Sequence, residues 1–149
     1  VDNDPQALAW ARHNANRRAE AGDTPIKLYS GDVTDPHLFS ELDGVVDLVV
    51  CNPPYVPRNA QLPPEVAEHD PPQAVFADDG GLAIIRHVVA IAARLLVPGG
   101  GVAIEHDDSH GEAVPAVLRS RRGLGDVRDH KDLAGRPRFA TAVRGAPTE

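Results

Sequence analysis

The apolar run Val45-Val46-Asp47-Leu48-Val49-Val50-Cys51 leads straight into Asn52-Pro53-Pro54-Tyr55. Proline has no N–H to give to a ladder, so residues 52–55 must form a loop at the carboxyl end of a buried strand. The tetrapeptide suits transfer of a small group to a planar nitrogen. The lone pair of an amide or aromatic amine is delocalised, which makes it a poor nucleophile. The side-chain oxygen of Asn52 and the carbonyl of Pro53, each accepting one N–H, would hold such a nitrogen toward an electrophile and help it lose planarity. Pro53 and Pro54 stiffen the loop, and Tyr55 offers a flat face to a flat group while its hydroxyl stays wet. The plainer alternative is a proline turn that ends a strand and does nothing else.

Asp2, Asp32 and Glu105 also fall near the ends of predicted strands. Strands alternating with helices predict a mainly parallel α/β sheet, and ligands of such sheets sit beyond the carboxyl ends of the strands. Asp4 and Pro5 open a first helix, with Ala7, Ala11, Ala15 and Ala19 as a stripe beside Leu8 and Gly22 as its stop. Residues 26–30 alternate as a short strand that runs into Gly31-Asp32-Val33, and 45–51 reads as a parallel strand covered on both faces. A proline-rich acidic connector follows. Ile85, Val88, Val89, Ala92, Leu95 and Leu96 then mark one face of a helix ended by Pro98-Gly99-Gly100-Gly101. Residues 102–105 predict another buried strand, 112–119 a short helix, and 127–130 with 138–144 a closing antiparallel pair.

The segment Glu105-His106-Asp107-Asp108-Ser109-His110 offers imidazole and carboxylate groups, yet a metal site needs an organised second shell, and the expectation is a solvated loop. No metal is expected. Cys51 is expected to pack as a small hydrophobe, because no neighbouring cation in the sequence would activate it.

The chain has 149 residues, 15 Lys and Arg against 22 Asp and Glu, and a formal net charge of -7. This acidic balance argues against a nucleic-acid coat, which needs a basic surface. One Cys makes neither an internal disulfide nor a multi-thiolate zinc site. No apolar run approaches the roughly 20 residues of a membrane helix, and a cytoplasmic protein is expected. Starting at Val1 with no Met, the sequence reads as a processed or partial chain. The oligomeric state is left open.

Over most of its length the chain resembles the catalytic domain of class I S-adenosylmethionine-dependent methyltransferases, specifically the HemK/PrmC-type release factor protein-(glutamine-N5) methyltransferases. The resemblance rests on Val1-Asp2-Asn3-Asp4-Pro5, Gly31-Asp32, the run from Asp47 through Asn52-Pro53-Pro54-Tyr55, the connector with Asp70-Pro71, Leu95-Leu96-Val97-Pro98-Gly99-Gly100, and Asp132-Leu133-Ala134-Gly135-Arg136. It implies a Rossmann-like α/β sheet, mostly parallel with an antiparallel C-terminal strand. It further implies that 1–149 is a partial catalytic domain truncated at its N-terminus, since the family's first strand and Gly-rich loop would precede Val1. By the same resemblance Asp2, Asp32, Val33 and Asn52 would contact S-adenosylmethionine, with S-adenosylhomocysteine as product. Asn52, Pro53, Pro54 and Tyr55 would hold a glutamine of a peptide chain release factor, in its Gly-Gly-Gln loop, as protein substrate. The tetrapeptide alone is shared with adenine and guanine amino methyltransferases, which keeps a nucleic-acid base open as target, and a catalytically silent fragment is the third reading.

Overall fold

The computed structural model describes residues 1–54 and 81–146, with the backbone of two short strands at 56–57 and 76–77. The chain divides into two compact units, Val1–Leu38 and Phe39–Glu149.

In the first unit, Asp4 caps helix α1 (Pro5–Glu20) by accepting from the backbone N–H groups of Gln6 and Ala7 at 2.7 and 3.0 Å. Gly22, at φ 96°, turns the chain away at the other end, a conformation open to glycine because it lacks a Cβ. Leu8, Ala11, Ala15 and Ala19 form a half-buried stripe, whereas Ala7 is exposed and no residue of the helix is fully buried. The strand expected at 26–30 reduces to a single parallel bridge, Asp2 to Ser30. Asp2 N–H donates to the Tyr29 carbonyl at 3.2 Å and Gly31 N–H to the Asp2 carbonyl at 3.0 Å. The segment opposite is Val1-Asp2-Asn3, and Asp4 and Pro5 open α1 directly after it.

The second unit is built on a four-stranded sheet. Its strands are β1 (Val46–Cys51), β4 (Leu96–Glu105), β5 (Leu124–Lys131) and β6 (Pro137–Arg144), in the order β1-β4-β6-β5. The short strands β2 (Val56–Pro57) and β3 (Phe76–Ala77) pair with each other in parallel. β1 runs parallel to β4, and β6 is antiparallel to both β4 and β5, so one strand of the sheet opposes the other three. The parallel pair needs a crossover, and α2 (Ala83–Leu95) lies within it. Every residue of the expected apolar face of α2 is buried: Ile85, Val88, Val89, Ala92 and Leu95, with Leu96 following as the first residue of β4.

β4 thus starts six residues before the expected 102, and the Pro-Gly run lies inside it. Val46 pairs with Leu96 and Leu48 with Gly101, so the extra residues of β4 loop out of register there. Gly99 at φ 85° makes the bend possible.

The sheet's two faces differ. Val102, Ile104, Ala140 and Ala142 are direct cross-strand partners and all buried, on the side packed by α2 and by α3 (Ala113–Ser120) with its buried Val114, Val117 and Leu118. On the opposite face Leu48 and Val50 stand 60% and 71% exposed. The expectation that this strand is covered on both faces is therefore corrected. Among the described residues β1 is at the edge of this sheet, and its apolar sequence is half solvated there.

Ile104→Ala empties the buried centre of the sheet and is expected to cost about 2–5 kcal/mol. Val50→Thr should alter stability by no more than about 0.5 kcal/mol, since it changes a solvated position. Urea denaturation of the two variants beside the parent chain measures both.

Candidate functional site

The carboxyl ends of β1, β4 and β5 lie at one edge of the sheet. Cys51 is level with Ile104, Glu105 with Phe139, and Phe139 with His130. The chain therefore leaves the sheet at Asn52, at Glu105 and at the β5–β6 turn, all on the same side. Asn52 is exposed, Pro53 is buried and Pro54 half-buried. A buried proline directly after an exposed amide gives that amide a fixed base, because its ring holds φ and cannot rotate the loop away. Tyr55 lies outside the described residues.

Asp2, Asp32 and Val33 belong to the first unit. The Asp2 carboxylate accepts from Asp4 N–H at 2.9 Å, so part of its work is to hold the start of α1. Asp32 accepts from both the N–H and the hydroxyl of Thr34, each at 2.8 Å, which fixes a tight turn directly after the Asp2–Ser30 bridge. Val33 is half-buried beside it. The bridge places Asp2 next to Ser30 and Gly31, so the two carboxylates fall on neighbouring segments of this unit.

The corner after β4 is not the solvated loop expected from its composition. His106 is completely buried and His110 nearly so. His106 Nε2 lies 3.0 Å from Asp129 on β5, its Nδ1 lies 2.8 Å from the Asp107 carbonyl, and its backbone N–H donates to the Arg138 carbonyl on β6. The imidazole thus ties the end of β4 to the last two strands. Burial opposes the Asp107 charge, but bonds from the Ser109 hydroxyl and N–H, with His110 and Arg138 nearby, outweigh it and hold the carboxyl below its usual range. Sequence reasoning missed this pairing, and the only signal was an acid, Asp129, on a strand otherwise far away in sequence. Among the described residues no group of three or more His, Cys, Asp or Glu is placed to hold a metal.

The β5–β6 turn is organised by Asp132. Its carboxylate accepts from the N–H groups of Arg136 and Ala134 at 3.0 and 2.9 Å and from the Arg138 guanidinium at 3.3 Å. The Arg136 backbone bond first, then the Ala134 bond and Arg138, outweigh burial and hold this carboxyl below the usual aspartate range. Cys51 is pushed up instead, to about 11, by burial.

No protein-family model matches the chain. Its sequence is 49% identical over 144 residues to the release factor glutamine methyltransferase of Mycobacterium tuberculosis, covering 97% of this chain and 45% of that protein. The chain is a relative of the release factor glutamine methyltransferases. The protein of that name from Streptomyces coelicolor is 42% identical over 149 residues, covering 99% of this chain and 50% of the relative. A 4-amino-L-phenylalanine/4-methylamino-L-phenylalanine methyltransferase of Streptomyces pristinaespiralis is 46% identical over 114 residues, 76% of this chain and 38% of its own. The chain spans about half the length of the release factor glutamine methyltransferases it matches. In structure it is similar to a predicted O-methyltransferase from Agrobacterium tumefaciens, with TM-score 0.62 and 17% identity over 97% of this chain and 60% of the other. It is also similar to TrmN from Thermus thermophilus, with TM-score 0.58 and 22% identity over 95% of this chain and 34% of the other. The fold is the Rossmann-like α/β fold of these methyltransferases.

Two measurements probe the site region. With its thiol near 11 against an ordinary 9.0, native Cys51 holds roughly a hundredfold less thiolate at pH 8 than the unfolded chain. Iodoacetamide labelling should be slower in native buffer than in urea by about that factor. The Asp132 contribution is complete above the ordinary aspartate value of about 3.9 and drains only as pH falls through the lower folded value. Amide exchange at Ala134 and Arg136 should therefore stay slow down to that range, and Asp132→Ala should abolish the protection at every pH.

Proposed function

We propose that the protein of which these residues form a part transfers a methyl group from S-adenosylmethionine to the side-chain amide nitrogen of a glutamine in a peptide chain release factor, in the cytoplasm, with 1–149 as part of its catalytic domain. The observation that carries this reading is Asn52, exposed above the buried Pro53 at the carboxyl end of β1, within a methyltransferase fold. Homology to the release factor glutamine methyltransferases favours a glutamine over the other planar nitrogens the same loop could hold.

Residues present here fit the cofactor in part. Asp2 and Asp32 supply carboxylates on adjoining segments, suited to a ribose diol and an adenine amino group, and Val33 an apolar contact beside them. The 149 residues contain no acidic-x-Gly-x-Gly element to let backbone approach the methionine portion. The bound cofactor supplies an electrophilic sulfonium methyl. Asn52 and the Pro53 carbonyl would accept the two N–H groups of the glutamine amide and turn its nitrogen toward that methyl, Pro54 would keep the loop from collapsing, and Tyr55, by the family resemblance, would pack on the amide plane. With the cofactor bound, an N–C bond to this nitrogen would form as the methyl's C–S bond breaks, and one amide proton would leave to solvent.

The relative that bears the name of an aminophenylalanine methyltransferase gives a second nitrogen to test, an aromatic amine. In the full-length protein, Asn52→Ala should lower turnover on release factor by roughly 10² or more, as loss of one directed polar contact does elsewhere. S-adenosylmethionine affinity should change by less than about threefold, because Asn52 acts mainly on the nitrogen. Mass spectrometry of the release factor glutamine, with nucleic acid and 4-aminophenylalanine as competing acceptors, reads the outcome. Near-normal turnover of the variant, or preferential methylation of either competitor, overturns the assignment.

A further inference from the structure

Glu105 closes β4 at the edge where Asn52 follows β1, and the chemistry so far gives it no task. Alternation fixes the side it faces. Ile104 and His106, its two chain neighbours, are completely buried, whereas Gly101, Ala103 and Glu105 are half-buried on the open face of the sheet. Along β1 the same rhythm leaves Val50 and Asn52 exposed on either side of half-buried Cys51. Cys51 is level with Ile104, so the next residues, Asn52 and Glu105, are neighbours at the ends of strands about 4.8 Å apart. The end of β4 is also held in place. His106 N–H donates to the Arg138 carbonyl at 2.9 Å and its imidazole lies 3.0 Å from Asp129. On its other flank Glu105 is level with Phe139 of β6, whose ring stacks on His130 with 4.5 Å between centroids.

We propose that Glu105 takes up the proton that the glutamine amide loses, and stabilises the positive charge that forms on the amide nitrogen beforehand. The inference rests on the glutamine reading above. Forming the new N–C bond uses the nitrogen lone pair, the C–S pair departs with sulfur, and the nitrogen is left positive. The proton then crosses from that nitrogen to a carboxylate oxygen of Glu105. The N–H pair stays on nitrogen and restores a neutral amide, and the carboxylic acid regains its charge by passing the proton to solvent. The two acceptors of the loop, the Asn52 side-chain amide and the Pro53 carbonyl, can orient an N–H but are too weakly basic to keep a proton, whereas a carboxylate takes one up. Charge matters before the transfer as well. The nitrogen is neutral in the bound substrate and turns positive only as it reacts, so a carboxylate beside it favours the transition state over the ground state. Among the described residues of the sheet, Glu105 is the carboxylate level with Asn52 on the strand bonded to β1.

The experiment compares full-length wild type with Glu105→Gln and Glu105→Ala on intact release factor. Glu105→Gln keeps the size and polarity of the side chain and removes its basicity, so kcat should fall by roughly 10² or more. Its KM, and the Kd of its complex with release factor measured by calorimetry without S-adenosylmethionine, should stay within about threefold of wild type. Its Tm should match wild type to within a few degrees, as an isosteric change at a half-buried position allows. Glu105→Ala should lose kcat similarly and regain about tenfold on addition of formate, a small carboxylate, but not of chloride at the same ionic strength. Near-normal kcat in Glu105→Gln, a loss that appears equally in Kd or Tm, or a folded Glu105→Ala that formate does not rescue overturns the role of Glu105 and leaves the glutamine reading in place. A wild type that does not methylate the release factor glutamine overturns that reading and the role of Glu105 with it.

Discussion

The pairing of β1 with β4 is the constraint on which the second unit depends. β4 is bonded on both sides, parallel to β1 and antiparallel to β6, and its Ile104 and Val102 lie at the centre of the buried layer. A parallel neighbour requires the chain to cross back between strands, and that crossing carries α2, which then buries its apolar face on the sheet. Parallel direction also decides where the polar residues emerge. Asn52, just after β1, and Glu105, the last residue of β4, lie at the same edge because those strands run the same way.

The bulge at the start of β4 follows from the same pairing. Leu96 is needed as a buried residue opposite Val46, and Val102 and Ile104 are needed opposite Val49 and Cys51, yet more residues separate the β4 positions than the β1 positions. Gly99 with its positive φ absorbs the difference. A glycine-rich run that reads as a helix stop is thus also a length adjuster within a strand. On the far side of the sheet, Leu48 and Val50 have the composition of covered positions and the exposure of uncovered ones. Burial on that face is a matter of what else the whole protein brings, and the local sequence of β1 is compatible with it.

Periodic elements were legible in the sequence because their signal is repeated. The face of α2 from Ile85 to Leu95 recurs over several turns, so single ambiguous residues matter little there, and β6 alternates in burial over Ala140, Thr141 and Ala142. The end of the strand at Asn52, Pro53 and Pro54 was legible because proline excludes the alternatives. What was not legible depends on partners distant in the chain. Residues 26–30 alternate as a strand does, but in this unit they make a single bridge, Ser30 to Asp2. His106 looked like part of a polar loop because its partner Asp129 is 23 residues further on. Composition gives a polar residue's cost of burial, and only the fold supplies the group that offsets it.

That dependence also separates two kinds of polar group along the site edge. Asp132, Asp107 and His106 are engaged in holding backbone and strands together, and their hydrogen-bonding capacity is directed inward. Asn52 is presented outward on a buried proline. An edge whose supporting groups were mobile would align a weakly nucleophilic nitrogen poorly, since misplacement by about 1 Å can cost a hundredfold in rate. An edge whose presented amide was already satisfied within the fold would have to break those bonds before it could take a substrate. On the function proposed above, Asn52 standing exposed on buried Pro53, beside strands held by these inward bonds, would avoid both costs.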